Sequence, residues 1–121
     1  MEFLALVYGS PDAWERLSES QRTEAYEGYV AVSRDAQAAG ALVDASELEE
    51  TSAATSVRVR NGEALVTDGP YAEVKESLGG YYLFSCDSLE DALAWAAKIP
   101  AAWNGGAIEV RPVHVDEEVA A

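Results

Sequence analysis

The order of apolar and polar positions divides the chain into strand-like and helix-like segments. Residues 3–8 form a continuous apolar run, which is typical of a strand that is covered on both faces or lies centrally in a sheet. From residue 18 to about residue 39, apolar side chains recur every three or four positions and predict a helix with one apolar face. Ser18 and Gln21 have the spacing of a capping box at its start, and Gly40 suits its C-terminal end.

The middle of the chain carries a hairpin signal. Residues 41–48 predict a strand of moderate apolar character. Residues 57–60 alternate valine with arginine, and Asn61-Gly62 separates them from a second strand-like run at 63–67. Because both central residues of a type I′ turn need positive φ, an Asn-Gly pair between two such runs predicts a tight β-hairpin.

The second half contains another strand, helix and strand. Residues 80–86 predict a strand, Ser88 caps a helix that ends near Ile99, and residues 107–113 predict a last strand with Pro112 at an edge or at its end. This order predicts an α+β fold of the ferredoxin-like type, with both helices on one face of the sheet and an inserted β-hairpin.

The predicted strands carry more large apolar side chains than two helices can cover. Neighbouring residues in a strand point to opposite faces, so these side chains cannot all face the helices. The residues concerned are Phe3, Leu4, Leu6, Tyr81, Leu83 and Phe84. Because exposed apolar surface favours association, we expect a homodimer that packs sheet on sheet. The alternative is a monomer whose hairpin folds over that face.

Composition narrows the protein class and its partners. A length of 121 residues fits a single domain spanning 1–121, with a frayed tail at 116–121. The net charge of −14 disfavours binding to nucleic acid or to anionic membranes. One cysteine permits no internal disulfide, and the start lacks a basic leader, so we expect a cytoplasmic protein.

Charged residues crowd into one short stretch, residues 67–82, between a Gly-Pro turn and a Gly-Gly pair. Asp68 is a candidate hydrogen-bond acceptor or base, or else a turn residue that bonds backbone N–H groups. Glu73, Lys75 and Glu76 are candidates for a carboxylate–ammonium cluster that transfers protons, and Lys75 is also a candidate for binding the ligand. The alternative for these three is a structural ion-pair network or a solvated face.

Aromatic and basic residues complete the candidate ligand site. Tyr71, Tyr81 and Tyr82 are candidates for lining a pocket, although at least one of the adjacent pair Tyr81 and Tyr82 is expected to pack in the core or a dimer interface. Arg111 is the main candidate for binding an anionic group of a ligand. The alternative is that it offsets the surrounding acids, as Arg58 and Arg60 are also expected to do.

No cofactor and no metal site is expected. His114 is the only histidine and has no second ligand at useful spacing, and Cys86 is interpreted as a small buried hydrophobe. Gly69, Gly79 and Gly80 lack the spacing of a dinucleotide loop and are interpreted as turn residues.

The stretch at 67–81, with Asp-Gly-Pro-Tyr at 68–71, resembles the DGPF signature of the YCII-related domain family, in which Phe is more usual at the position of Tyr71. The resemblance extends from the opening strand to the closing residues 109–113. It implies a ferredoxin-like protomer of the dimeric α+β-barrel type, with a cleft near the motif. A more distant branch includes a dehydrochlorinase-type lyase with a His-Asp pair in the first half of the chain. Here the histidine is His114, so that mechanism is not carried over.

Three functional hypotheses follow. The first is a dimeric protein that binds an unknown small molecule in a cleft near the Asp-Gly-Pro-Tyr loop. The alternative is a lyase- or isomerase-type enzyme that uses Asp68, Glu73 and Glu76 for acid–base catalysis. The third is an accessory interaction protein, since many members of the family resemble products encoded beside extracytoplasmic-function sigma factors.

Overall fold

The computed structural model describes residues 1–10, 12–71 and 76–116. In these residues the chain forms six strands and three α-helices, with single turns of 3-10 helix at Thr51–Ala53 and Pro100–Ala102. The strands are β1 (Glu2–Gly9), β2 (Leu42–Glu47), β3 (Thr55–Arg60), β4 (Glu63–Asp68), β5 (Ser77–Ser85) and β6 (Ala107–Pro112). The helices are α1 (Ala13–Arg16), α2 (Glu19–Ala38) and α3 (Leu89–Ala96).

Four strands form one antiparallel sheet in the order β2-β5-β1-β6, and β3 and β4 pair separately as a hairpin. Two β-α-β halves whose strands interleave in this way are consistent with a ferredoxin-like fold. The predicted α+β class and the inserted hairpin are therefore confirmed. Strand β1 lies centrally and β6 forms an edge, as the apolar run and Pro112 predicted.

The core lies between one face of the sheet and the helices. Phe3, Ala5 and Val7 alternate along β1 and are buried, as are Tyr82 and Phe84 on β5. Helix α2 adds small or branched side chains to this layer, and the rings of Tyr82, Phe84 and Trp95 stack in a row. The Tyr82 and Phe84 centroids are 5.6 Å apart, and those of Phe84 and Trp95 are 6.2 Å apart.

Local signals fix the helix starts and the hairpin turn. The Ser18 Oγ accepts from the backbone N–H of Gln21 at 3.1 Å, and the backbone N–H of Ser18 donates to the Gln21 side chain at 2.8 Å, which completes the predicted capping box. Asn61 and Gly62 have φ of 53° and 79°, as a type I′ turn requires. The boundary near Ile99 was less accurate, because α3 ends at Ala96 and the chain continues through tight turns.

The other face of the sheet is incompletely covered by the described residues. Leu4 lies opposite Leu83 and Leu6 opposite Tyr81, and all four side chains remain partly exposed. We call this surface, together with Tyr8 and Leu78 in the same rows, the open sheet face. The hairpin does not lie over it, because every residue of β4 is exposed. The structure therefore does not contain the alternative arrangement, in which the hairpin covers the sheet of its own chain.

No helix within the described ranges is both long and apolar enough to cross a lipid bilayer. Of the predicted frayed tail, residues 117–121 lie outside the described part of the chain.

Candidate functional site

The start of the charged stretch belongs to the hairpin. Asp68 is the last residue of β4, lies opposite Thr55, and is exposed. The backbone N–H of Gly69 donates to the carbonyl oxygen of Ala54 at 2.7 Å, and the Ser56 hydroxyl donates to the Gly69 carbonyl oxygen at 2.7 Å. Gly69 has φ of 104°, so its predicted role in a turn is confirmed. These contacts fasten the Gly-Pro turn to the base of the hairpin.

Tyr71 lies against the polar face of the same hairpin. The Arg58 guanidinium carbon is 4.7 Å from the centroid of the Tyr71 ring, within the range of a cation–π contact. The side chain is nevertheless 75% exposed. The structure thus brings Asp68 and Tyr71 to one region, beside the hairpin.

Arg111 lies elsewhere. It is on β6, at the opposite edge of the sheet from β2, and its Nε donates to Glu109 Oε2 at 2.6 Å. Glu76 is partly buried directly before β5. Glu73 and Lys75 lie outside the described residues, so the proposed cluster with Glu76 stays a prediction.

A cleft of about 920 Å³ opens at the end of the sheet where β1 and β2 finish and β5 begins. Its walls come from this end of the sheet, from α1 and α2, and from the polar loop after β2. The polar side chains that matter most for its chemistry are Tyr29, Ser33, Glu47, Tyr81, Tyr82 and Asn104. Ser77 and Leu78, which belong to the charged stretch, also line the cleft.

Two tyrosines give the cleft its chemical character. Burial raises the pKa of the Tyr82 hydroxyl, and a hydrogen bond from Ser33 offsets part of the rise. Burial also raises the pKa of Tyr29, and the nearby Tyr82 and Glu47 add to the rise, while a hydrogen bond from the backbone of Ala101 opposes it. Both hydroxyls therefore stay protonated at neutral pH. They suit neutral hydrogen bonding to a ligand better than proton abstraction.

The charge of the cleft is negative. Among its described lining residues no lysine or arginine occurs, whereas carboxylates occur at Asp12, Glu15, Glu47, Glu49 and Glu50. Such a lining disfavours an anionic ligand, because like charges repel in a partly desolvated site. The arginines considered as anion partners do not line this cleft in the described structure.

The sequence identified part of this lining. Tyr82 points into the core and its neighbour Tyr81 to the open sheet face, as strand alternation predicted, and both also line the cleft. Tyr29, Ser33 and Glu47 were not among the candidate site residues. The one available signal was that Tyr29 and Ser33 are four residues apart and so share a helix face.

Other reactive side chains add no second site. Within residues 1–10, 12–71 and 76–116, no three His, Cys, Asp or Glu side chains are placed to hold a metal ion. Cys86 packs partly buried against the core, in keeping with its interpretation as a small hydrophobe. Burial, together with Asp91 and Asp87, raises the pKa of its thiol, so little thiolate forms at neutral pH.

The model of the YCII-related domain family matches residues 1–115. The chain belongs to the YCII-related family. An uncharacterized protein of Rhizobium meliloti (strain 1021) is 36% identical to it over 114 residues, which cover 93% of this chain and 92% of that protein. The family assignment from the charged stretch is therefore confirmed, whereas membership of the DGPF subfamily stays a prediction. The name of this relative assigns no activity to it.

Proposed function

We propose that this YCII-related protein is a homodimer that binds a small, neutral or cationic molecule in the cleft at the end of the sheet. The observation that carries the proposal is the group of half-buried hydroxyls in that cleft. Burial raises the pKa of Tyr29 and of Tyr82, and Ser33 lines the cleft with them. Polar groups held at partly desolvated positions by a helix and a strand are suited to orienting a ligand.

The shape of the cleft supports a ligand with an aromatic ring. Tyr8, Trp14, Tyr26, Tyr29 and Tyr81 contribute ring surfaces to its walls. Such surfaces stack with flat apolar groups, and they attract an ammonium group through the electron-rich ring face. The carboxylates of the lining also attract a cationic ligand.

The homodimer is supported by the open sheet face. Leu4, Leu6, Tyr81 and Leu83 form two adjacent rows of large side chains, each with part of its surface in water. Full burial of such a side chain contributes about 1.5–3 kcal/mol. Because these side chains are already partly buried, only a fraction of that free energy is left to favour association. Association also costs about 4–15 kcal/mol. The open sheet face therefore favours a second copy packed in the α+β-barrel manner, but additional contacts are needed.

The lyase or isomerase alternative rests on Asp68, Glu73 and Glu76. Asp68 is exposed beside the hairpin, and Glu73 lies outside the described residues. Among the described residues, the hydroxyl cluster of the cleft favours binding over carboxylate catalysis, so the enzyme hypothesis stays a prediction.

The test uses three probes that share one ring and differ in charge: phenol, tyramine and 4-hydroxybenzoate. We expect phenol and tyramine to raise the melting temperature of the protein in a dose-dependent manner, and 4-hydroxybenzoate to have the smallest effect. The Tyr29→Phe and Ser33→Ala substitutions each remove one hydrogen-bonding hydroxyl worth about 0.5–1.5 kcal/mol, so each should weaken binding of the stabilising probe by roughly 2- to 13-fold.

The matched control is Tyr71→Phe, which removes a hydroxyl outside the described lining of the cleft. Its affinity for the probe should equal that of the wild type. Stabilisation by none of the three probes would contradict the proposed site. A loss of binding in Tyr71→Phe with normal binding in Tyr29→Phe would move the site to the Asp-Gly-Pro-Tyr loop.

A further inference from the structure

The β3–β4 hairpin has two chemically different faces. Residues opposite each other on paired strands share a face, and the pairs Val57–Val66 and Val59–Ala64 make one face apolar. The pairs Arg58–Leu65 and Arg60–Glu63 lie on the other face, where Arg58 stacks on Tyr71. We call the first of these the valine face.

The side chains of the valine face are strongly exposed in the described chain. Val57, Val59 and Val66 are 64%, 72% and 67% exposed, compared with 42% for Leu65 on the opposite face. Three β-branched apolar residues side by side on a strand pair are a pattern that normally faces a core. Here the described residues provide no core for them.

An isolated two-stranded hairpin is only marginally stable in water. The hairpin is fastened at its base, through Ala54, Ser56 and Gly69, and β3 and β4 otherwise contact mainly each other. The remainder of the hairpin projects with its valine face uncovered. Something other than the described residues is therefore needed to hold it.

From these observations we infer that the hairpin is an arm whose valine face packs on a second copy of this chain, at the margin of the open sheet face. Charge and matching apolar surfaces identify a second copy as the partner of the valine face. Residues 55–68 carry two basic and two acidic side chains, so the arm is neutral although the whole chain carries −14. The arm is thus a surface that two strongly acidic copies can bring together without strong repulsion.

The central rows of the open sheet face, Leu4 with Leu83 and Leu6 with Tyr81, supply the matching apolar surface on the partner. Charged residues on β2 and β6, namely Asp44, Glu109 and Arg111, flank these rows. Because a two-fold dimer buries the same patch on both subunits, one chain can contribute both its arm and its open sheet face. The inference rests on the homodimer of the proposed function and adds the contact that the partly buried leucines of the sheet alone do not provide. It does not depend on ligand binding in the cleft.

The decisive comparison uses adjacent residues on opposite faces of one strand. Val66→Asp places a carboxylate in the valine face, and Leu65→Asp makes the same type of change on the polar face, with the same penalty for the strand. In sedimentation equilibrium, we expect Val66→Asp to raise the dimer dissociation constant at least tenfold, and Leu65→Asp to change it less than threefold. Circular dichroism of both variants checks that the four-stranded sheet is intact.

Hydrogen exchange supplies a readout that does not depend on a substitution. In the wild type, backbone amides of residues 55–68 should exchange slowly at concentrations where the dimer predominates, and should lose that protection on dilution below its dissociation constant. Protection that persists in the monomer would show that the arm is held within its own chain, and would overturn the inference.

The two proposals fail in different ways. A dimer of unchanged affinity in a folded Val66→Asp variant would overturn the arm contact and leave the sheet-on-sheet dimer standing. A wild-type protein that remains monomeric at every concentration tested would overturn both the dimer and the arm. Binding of phenol or tyramine in the cleft is measured separately, so neither result decides whether the cleft is a ligand site.

Discussion

Gly80 offers a sharp test of how β2 and β5 fit together. It lies in β5, is paired with Glu47 and Val7, and is buried. A methyl group in place of its hydrogen would lie 2.8 Å from the carbonyl oxygen of Ser46 and 3.5 Å from the Cα of Glu47. Both atoms belong to the backbone of β2, so the contact can be relieved only by moving that strand, which forms a wall of the cleft.

The expected cost of Gly80→Ala follows from this geometry. Overpacking against a fixed neighbour costs about 1–3 kcal/mol. Alanine also lowers the conformational entropy of the unfolded chain, which stabilises the folded protein by about 0.4–1 kcal/mol. The net loss should be about 0–2.6 kcal/mol, which for a domain of this size corresponds to a melting temperature lower by up to roughly 15 °C, and the difference from a variant that only restricts the unfolded chain should be about 1–3 kcal/mol.

Gly79→Ala is the matched control, because the neighbouring glycine has space for the same methyl group. Its nearest neighbour would be the carbonyl oxygen of Val7 at 3.9 Å, an ordinary van der Waals distance. We expect its melting temperature to equal or exceed that of the wild type. Thermal unfolding followed by circular dichroism at fixed protein concentration measures both variants. A Gly80→Ala protein as stable as Gly79→Ala would refute the close approach of β2 and β5.

Two further predictions concern the core and its pH dependence. Phe84→Ala removes a fully buried ring that stacks with Tyr82 and Trp95, and urea unfolding should show a loss of about 3–5 kcal/mol; a loss under 1 kcal/mol would contradict the stacked core. The folded-state pKa of Tyr82 is raised above its ordinary value of 10.0, so its contribution to stability is fully present below pH 10.0 and is lost as the pH rises through the folded-state value. Tyr82→Phe should therefore flatten the decline of stability at alkaline pH, and an unchanged pH profile would count against the burial of this hydroxyl.

Features determined by residues close in sequence were predictable. The capping box at Ser18 needs only a residue three positions away, and the Asn61-Gly62 turn needs only the tolerance of its two residues for positive φ. The two glycines near the end of the charged stretch show the limit of such reasoning. The interpretation of Gly79 and Gly80 as turn residues is wrong because both lie inside β5, whereas the strand predicted from residue 80 is confirmed. Gly80 is required by the close approach of another strand, which no local pattern encodes.

The cleft was harder to predict because its residues are distant in sequence. Tyr29 and Ser33 lie on α2, Tyr82 lies on β5, and Glu47 lies at the end of β2. Each residue has an ordinary local interpretation, as part of a helix face, a strand or a polar connection. Their common position arises from the packing of α2 on the sheet. The sequence therefore pointed to the charged stretch at 67–82, including Tyr82, and missed Tyr29 and Ser33 on α2.

The open sheet face connects the proposed dimer with the proposed ligand site. Tyr8, Leu78 and Tyr81 belong to the open sheet face and also line the cleft, so a second copy on that face would border the cleft. A ligand that contacts both copies would then bind the dimer more tightly than the monomer, and by linkage it would strengthen the dimer by the same factor. A ligand held by Tyr29, Ser33 and Tyr82 alone, on the helix side of the sheet, would bind equally well to either state. If both proposals hold, the neutral arm contributes to assembly, whereas the side of the sheet on which the ligand lies determines whether assembly affects its binding.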